Sequence, residues 1–529
     1  MIYKMIKNVI EKIDQIAQED PNLLAYDYLG KENTYGQLKK RSDEWANKLI
    51  QSNIPDGEPI MVWGGQTFEM VACFLGCVKS GHAYIPVANY SNVERLAMIH
   101  DVSKSKYLIM IDSTPDIDLP DVTVITPDEV GHDDAPISKD KYVKDDENFY
   151  IIFTSGTTGK PKGVQISHAN LLSFLNWEIS DFKLPTNPVF LAQAPYSFDL
   201  SVMSLYPALT TGGKLVVMPH HVTQNFAELF KVLPTLKFNV WVSTPSFAQM
   251  CFLDKTFNEQ GHPDLTHFLF CGEELPHTEA VMLRKKFPDS HIYNTYGPTE
   301  TTVAVTGVEI TDEVLDKYDR LPIGRVKPDT QITIDTSKGD KEGEGEIIIT
   351  GPSVSKGYLN NPEKTEKAFF QKEGEKYPSY RTGDAELLKI TRCLFMNPSY
   401  RTGDAGFFDG DMLFYRGRID FQIKFNGYHI ELEEINFYLS KNELVRYGVA
   451  APKYNKDHVV KQIVAEIELK DGVKRKYSEG ELTKMIRDQL SKDIMPYMLP
   501  QRYVYKDSLP ISQNGKVDIK QVIKEVNEK

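Results

Sequence analysis

At 529 residues the chain is longer than one ordinary domain. Its 41% hydrophobic and 26% charged content, with 34 glycines and 30 prolines, is globular and excludes collagen-like, fibrous and disordered classes. Sixty-one Lys plus Arg against 74 Asp plus Glu leave a net charge of −13, which argues against a general phosphate-backbone binder and so against nucleic acid as a partner.

At the N-terminus Ile2, Met5, Ile6, Val9, Ile10, Ile13 and Ile16 recur at three- and four-residue steps among charged residues, which predicts an amphipathic helix packed on the body. No run approaches the roughly 18 apolar residues of a membrane span and no signal-peptide core is present, so no direct membrane insertion is expected. The five cysteines are odd in number, and Cys73 and Cys77 lack a second pair at zinc spacing. Reduced thiols and a cytoplasmic location are the expectation.

Strand-like apolar runs at 59–63, 107–111, 149–153, 214–218, 240–243 and 268–271 alternate with helical stretches and predict a multi-layer α/β body. The texture changes near Arg418 to Gly427, and the remainder reads as an α+β unit of about a hundred residues. The expected division is a large N-terminal domain over 1–418 and a smaller, mobile C-terminal domain over 419–529. Pro378 to Ala385 recurs identically as Pro398 to Ala405, a single local duplication rather than a solenoid repeat.

The densest chemistry lies in Phe153-Thr-Ser-Gly-Thr-Thr-Gly-Lys-Pro-Lys-Gly163, directly after an apolar strand. Its glycines free main-chain N–H groups, Thr154, Ser155, Thr157 and Thr158 add hydroxyls, and Lys160 and Lys162 add positive charge: the makings of a phosphate cradle. The G-x-x-x-x-G-K-[ST] spacing of a Walker A loop is absent. Four further motifs follow in order: Asn294-Thr-Tyr-Gly-Pro-Thr-Glu300, Tyr400-Arg-Thr-Gly-Asp404, Gly417-Arg-Ile-Asp420 and Asn514-Gly-Lys516.

These five motifs, in this order, resemble the signatures of the adenylate-forming superfamily, which includes acyl-CoA synthetases, luciferases and the amino-acid-activating domains of peptide synthetases. The resemblance implies that Thr154, Ser155, Gly156, Thr157, Thr158 and Lys162 hold the pyrophosphate end of ATP. It implies that Asn294, Tyr296, Gly297, Thr299, Asp404 and Arg418 complete the nucleotide site, with Asp404 on the ribose hydroxyls. Asp420 becomes the hinge, and Lys516 the catalytic lysine that touches both the substrate carboxylate and the α-phosphate. Read physically, Tyr296 offers an aromatic face to a purine, Gly297 permits close backbone approach, and Glu300 is a hard oxygen donor suited to Mg²⁺ on a triphosphate. Asp384, in the first octapeptide copy, competes with Asp404; only the second copy runs on into Gly406 to Arg418, which favours Asp404.

Ala194-Pro-Tyr-Ser-Phe-Asp-Leu carries the Phe-Asp pair of amino-acid-activating members, in which Asp199 receives the substrate ammonium. The alternative is a helix N-cap before 200–209. Cys271 is implied to face the substrate Cα. These segments are similar to those of members that activate D-alanine and deliver it to the phosphopantetheine thiol of a carrier protein in lipoteichoic-acid D-alanylation. Preference for the D form comes from that resemblance alone. The basic cluster Lys474-Arg-Lys476 is a candidate contact for an acidic carrier, against the plainer reading of a solvated charge run. Other small amino-acid or acyl-CoA ligases, and a catalytically disabled carrier-binding protein, remain as competing readings.

Overall fold

A computed structural model describes residues 5–155, 160–338, 342–371, 398–418, 421–456, 459–470, 472–510 and 517–528. The chain is α/β, with several sheets and covering helices. Its compact units are 1–89, 103–152 and 163–417 in one, and 90–102, 153–162 and 418–529 in the other.

The first unit holds most of the sheet structure. A nine-stranded sheet runs Arg325–Val326, Thr306–Glu309, His291–Tyr296, His267–Phe270, Val240–Ser243, Val189–Ala192, Lys214–Val217, Leu24–Tyr28, Lys31–Thr34, and its six inner strands are parallel. Ile60–Gly64 and Tyr84–Ala88 are parallel neighbours in a six-stranded sheet. Every residue of Ile60–Gly64, Tyr84–Ala88, Val240–Ser243 and His267–Phe270 is buried. Burial on both faces explains why the sequence shows these strands as continuous apolar runs rather than alternation.

The N-terminal helix is shorter than its periodicity suggests. It spans Val9–Glu19, because Asn8 caps it by accepting the Glu11 N–H at 3.0 Å. Val9, Ile10, Ile13 and Ile16 are buried as expected, whereas Met5 is exposed and Ile2 lies outside the described residues. The helices Tyr35–Gln51 and His168–Asp181 open on capping boxes, Thr34 with Gln37 and Ser167 with Asn170.

Three helices meet over a buried charge cluster. The Lys79 ammonium, at the end of Phe68–Lys79 and fully buried, donates to Asp14 and Asp43 at 2.7 Å each and to the Ser42 hydroxyl at 3.0 Å. Tyr142 donates to the other Asp14 oxygen at 3.0 Å. All three ammonium protons are thereby used, which is the condition for a buried cation to be tolerated.

In the second unit, Val445–Tyr454, Val460–Leu469 and Arg502–Lys506 form a three-stranded sheet, covered by Leu432–Lys441 and Glu479–Asp493 through Ile435, Leu439, Leu482, Ile486 and Leu490. A separate hairpin pairs Gln422–Phe425 with Tyr428–Glu431. Its turn residues Asn426 and Gly427 lie at φ 51° and 82°, the left-handed pair that an Asn-Gly hairpin turn requires. Among the described residues no helix is long and apolar enough to cross a membrane.

Replacing Lys79 with Ala leaves Asp14 buried without its cation and Asp43 with Lys39 as its remaining one. The variant is expected to lose about 3–5 kcal/mol of stability, read as a lowered denaturation midpoint of the purified chain, with Lys79→Met also destabilised. An unchanged midpoint would show that the cluster contributes no stability.

Candidate active site

The strand His291–Tyr296 carries the first nucleotide-motif residues into the 3-10 turn Thr299–Thr301. Asn294 is buried; its amide nitrogen donates to the Pro322 carbonyl at 2.7 Å, while its amide oxygen has no hydrogen-bond partner among the described residues. Gly297 is required by the chain itself. A Cβ there would lie 2.6 Å from the Ala304 Cα and 2.8 Å from the Val303 oxygen, so the close approach is to backbone just downstream.

That backbone is strained. Thr302 and Val303 sit at φ 60° and 66°, and the Ala304 N–H closes a γ-turn onto the Thr302 carbonyl at 2.8 Å. A β-branched residue in this region costs of order 1–3 kcal/mol and persists only where its surroundings fix it. The Thr302 hydroxyl does so by donating to the Ser353 carbonyl at 2.7 Å. The turn aims the Val303 carbonyl at Cys271, whose buried thiol donates to it at 3.7 Å.

The second octapeptide copy forms the start of Pro398–Asp409, antiparallel to Gly345–Thr350. Ile348 pairs Arg401 and Glu346 pairs Ala405, so two steps on one strand face four on the other. Thr402, Gly403 and Asp404 therefore bulge, with Gly403 at φ 69°. Arg401 anchors the bulge through Glu346 at 2.7 Å and Asp335 at 3.0 Å. The Thr402 hydroxyl accepts the Asp404 N–H at 2.9 Å. Asp404, 1% exposed, is then met by Tyr296, whose hydroxyl donates to it at 2.6 Å. Burial, and after it the Asp404 charge, hold the Tyr296 phenol well above its ordinary pKa, so it stays a neutral donor.

Glu300 is buried in the same turn as Thr299, and one of its oxygens accepts from the Tyr358 hydroxyl at 2.8 Å. No group of three or more His, Cys, Asp and Glu side chains suited to a metal occurs among the described residues. A single carboxylate fits Mg²⁺ where substrate phosphates supply further oxygens. Asp199 opens the 3-10 turn Asp199–Ser201, which leads into Val202–Thr211. It is the first residue of the turn, whose cap position belongs to Phe198, so the N-cap alternative is not what the structure forms.

In the second unit the Thr154 hydroxyl is buried with no hydrogen-bond partner among the described residues. The Ser155 hydroxyl donates to the His429 carbonyl at 2.7 Å, and Lys162 faces Glu431 at 3.5 Å. Burial, then the charges of Lys424, Arg418 and Lys162, hold the His429 ring far below its usual pKa and therefore neutral. Arg418 ends the strand Met412–Arg418. Lys474 of the basic cluster pairs with Asp507 at 2.6 Å. Gly156, Thr157, Thr158, Asp420 and Lys516, and Asp384 with the whole first octapeptide copy, lie outside the described residues.

Sequence reasoning missed Tyr358, His429 and the turn at Thr302-Val303. A hairpin signal exists for His429 in the adjacent Asn426-Gly427; nothing local marks the other two.

A family model described as AMP-binding enzyme matches residues 13–359. The chain belongs to this family of AMP-binding enzymes. Among its relatives, the D-alanine--D-alanyl carrier protein ligase of Lactiplantibacillus plantarum is 50% identical over 531 residues, covering 99% of this chain and 100% of that protein. The ligase of the same name from Streptococcus pneumoniae is 46% identical over 537 residues, covering 100% of both. In fold, the chain is similar to the Vibrio cholerae adenylation domain AlmE, solved with glycyl-adenosine-5'-phosphate, at a TM-score of 0.79 and 21% identity, over 100% of this chain and 99% of that one. It is also similar to an artificially fused adenylation-PCP di-domain from Klebsiella oxytoca, at 0.76 and 18%, over 95% and 94%.

Substituting Ala at Gly297 forces its Cβ into the strained turn. The expected result is a loss of about 1–3 kcal/mol in thermal or denaturant unfolding, accompanied by lowered ATP-dependent activity. Full activity with an unchanged midpoint would show that the turn yields without cost.

Proposed function

We infer that the chain is an ATP-dependent ligase that converts D-alanine to D-alanyl-AMP and transfers it to the phosphopantetheine thiol of a D-alanyl carrier protein, for D-alanylation of lipoteichoic acid. The observation that carries this reading is 50% identity, over 99% of the chain, to a protein named D-alanine--D-alanyl carrier protein ligase. A cytoplasmic location accords with it, since none of the four described cysteines is in a disulfide.

The site residues can be given roles on chemical grounds. Asp404, a buried carboxylate that accepts from the Tyr296 hydroxyl, suits paired ribose hydroxyls. The unpartnered Asn294 amide oxygen suits the amino group of a purine, and the unpartnered Thr154 hydroxyl suits a phosphate oxygen. Lys162 and the glycine- and threonine-rich loop would carry the charge of departing pyrophosphate. Glu300 would hold Mg²⁺, which when bound offsets triphosphate charge.

In the first half-reaction the D-alanine carboxylate attacks the α-phosphorus and pyrophosphate leaves. Lys516 would bring the two anions together by placing one compact positive charge between them. In the second, the carrier thiol attacks the mixed anhydride and AMP leaves, with Asp420 as the hinge between the two states. Asp199 would fix the substrate ammonium, and Cys271 would face the Cα.

ATP–pyrophosphate exchange across a panel of D- and L-amino acids and fatty acids tests the reading. D-Alanine is expected to lead, with glycine following about 10–200-fold lower, because one methyl group offers limited discrimination. Exchange driven by a fatty acid instead, or by none of the panel, overturns it. Lys516→Ala should suppress adenylate formation by orders of magnitude while sparing transfer from preformed D-alanyl-AMP; equal loss in both half-reactions contradicts its role.

A further inference from the structure

Both ends of the strained turn are held, and the two residues that hold them meet at one atom. Thr302 donates its hydroxyl to the Ser353 carbonyl at 2.7 Å, and beyond the turn the Val305 carbonyl accepts the Lys327 N–H at 2.9 Å. The side chains of Ser353 and Lys327 then converge on the Ser173 hydroxyl, in the helix His168–Asp181. The Lys327 ammonium donates to it at 2.6 Å, and the Ser353 hydroxyl lies 3.1 Å away. A serine hydroxyl has one proton, and that of Ser173 goes to the Asp329 carboxylate at 2.7 Å, so Ser353 is the donor to Ser173.

The ring so closed is set firmly into its surroundings. Lys327 and Ser353 are both buried. Lys327 opens a β-turn with Pro328 in second place, closed by the Thr330 N–H on the Lys327 carbonyl at 3.0 Å, and this reversal brings the Asp329 carboxylate back onto the Lys327 ammonium. Three residues before Ser173 on the same helix, the Asn170 amide donates to the Pro352 and Val354 carbonyls at 2.7 and 3.0 Å. The chain on either side of Ser353 is therefore tied to the helix as well. What the ring holds in place is the Val303 carbonyl, which accepts the Cys271 thiol at 3.7 Å. A β-branched residue at positive φ relaxes once its surroundings stop fixing it, and that carbonyl moves with it.

We propose that Ser173 is a positioning residue for side-chain selection: through Ser353 and Lys327 it locks the turn from Thr302 to Val305, and so fixes the Val303–Cys271 contact against which the Cα substituent of a small amino acid is seated. The inference rests on the reading of Cys271 as facing the substrate Cα. A pocket wall braced from behind tells a methyl group from a hydrogen because it neither collapses onto the smaller substrate nor yields to the larger one.

The test measures ATP–pyrophosphate exchange by the full-length chain with D-alanine and with glycine, for S173A, K327M, their double variant, T302V and T302S. S173A should raise the D-alanine KM about tenfold, the size expected for a hydrogen bond to a charged group. The glycine KM should rise less than about twofold, since glycine has no substituent to seat, and the KM for ATP should stay unchanged. K327M and T302V, which open the ring elsewhere, should narrow the D-alanine preference in the same way, and T302S, which keeps the donor, should retain it. The double variant should be no less selective than S173A alone, the mark of groups acting as one. Lys79→Met, destabilised away from the ring, should melt lower with its preference intact. Where S173A yields no folded protein, K327M reads the same comparison. A preference altered by C271A but not by S173A or K327M overturns the inference alone, as does an equal rise in the KM values for D-alanine, glycine and ATP. A preference that C271A leaves untouched overturns the reading of Cys271, and the inference with it.

Discussion

The hydrogen bond from Tyr296 to Asp404 joins residues 108 positions apart and fastens the nucleotide-motif strand to the bulged strand. Its chemistry matters as much as its length. A buried carboxylate needs compensation, and a cation would supply it by cancelling the charge. A phenol supplies it by donation and leaves the charge in place. Tyr358 treats Glu300 the same way. Two acidic groups are thus each oriented by a phenol's donation. Both depend on neighbouring backbone: the Thr402–Asp404 bulge for one, the packed turn after Gly297 for the other.

Much of the architecture is legible in the sequence, for a physical reason. Inner parallel strands are buried on both faces, so Val240–Ser243 and His267–Phe270 stand out as apolar runs within a residue of their observed limits. The periodicity of the first helix locates its buried face, whereas its start depends on one side-chain cap at Asn8 that periodicity does not contain. The site is legible as motifs and illegible as geometry. Arg-Thr-Gly-Asp reads as a turn with an acid at its end, yet the residue that meets that acid lies in another motif, and the bulge exists only against a partner strand. The left-handed pair Thr302-Val303 is hidden more completely, since Val is among the residues least expected at positive φ.

In the second unit the same strand-to-loop transition is handled by main chain and charge. The Asn-Gly turn sets the register of Gln422–Phe425 against Tyr428–Glu431, and that register delivers the His429 carbonyl to Ser155 and the Glu431 carboxylate to Lys162. The neutral His429 ring adds no fourth cation to the company of Lys424, Arg418 and Lys162. Tyr428, beside it, stacks on Tyr497 with ring centroids 3.8 Å apart, which ties the hairpin to the segment after Glu479–Asp493.

The pairing of Phe369–Gln371 with the start of Pro398–Asp409 has an evolutionary consequence. Gln371 and Pro398 are opposite partners in the ladder, so whatever chain runs between them departs and returns at a single point on the sheet rim. Lengthening such an excursion taxes closure entropy only logarithmically, about 0.6 kcal/mol for each doubling. A duplication in the gene between these two positions is therefore compatible with every rung that joins Phe369–Gln371 to Pro398–Asp409.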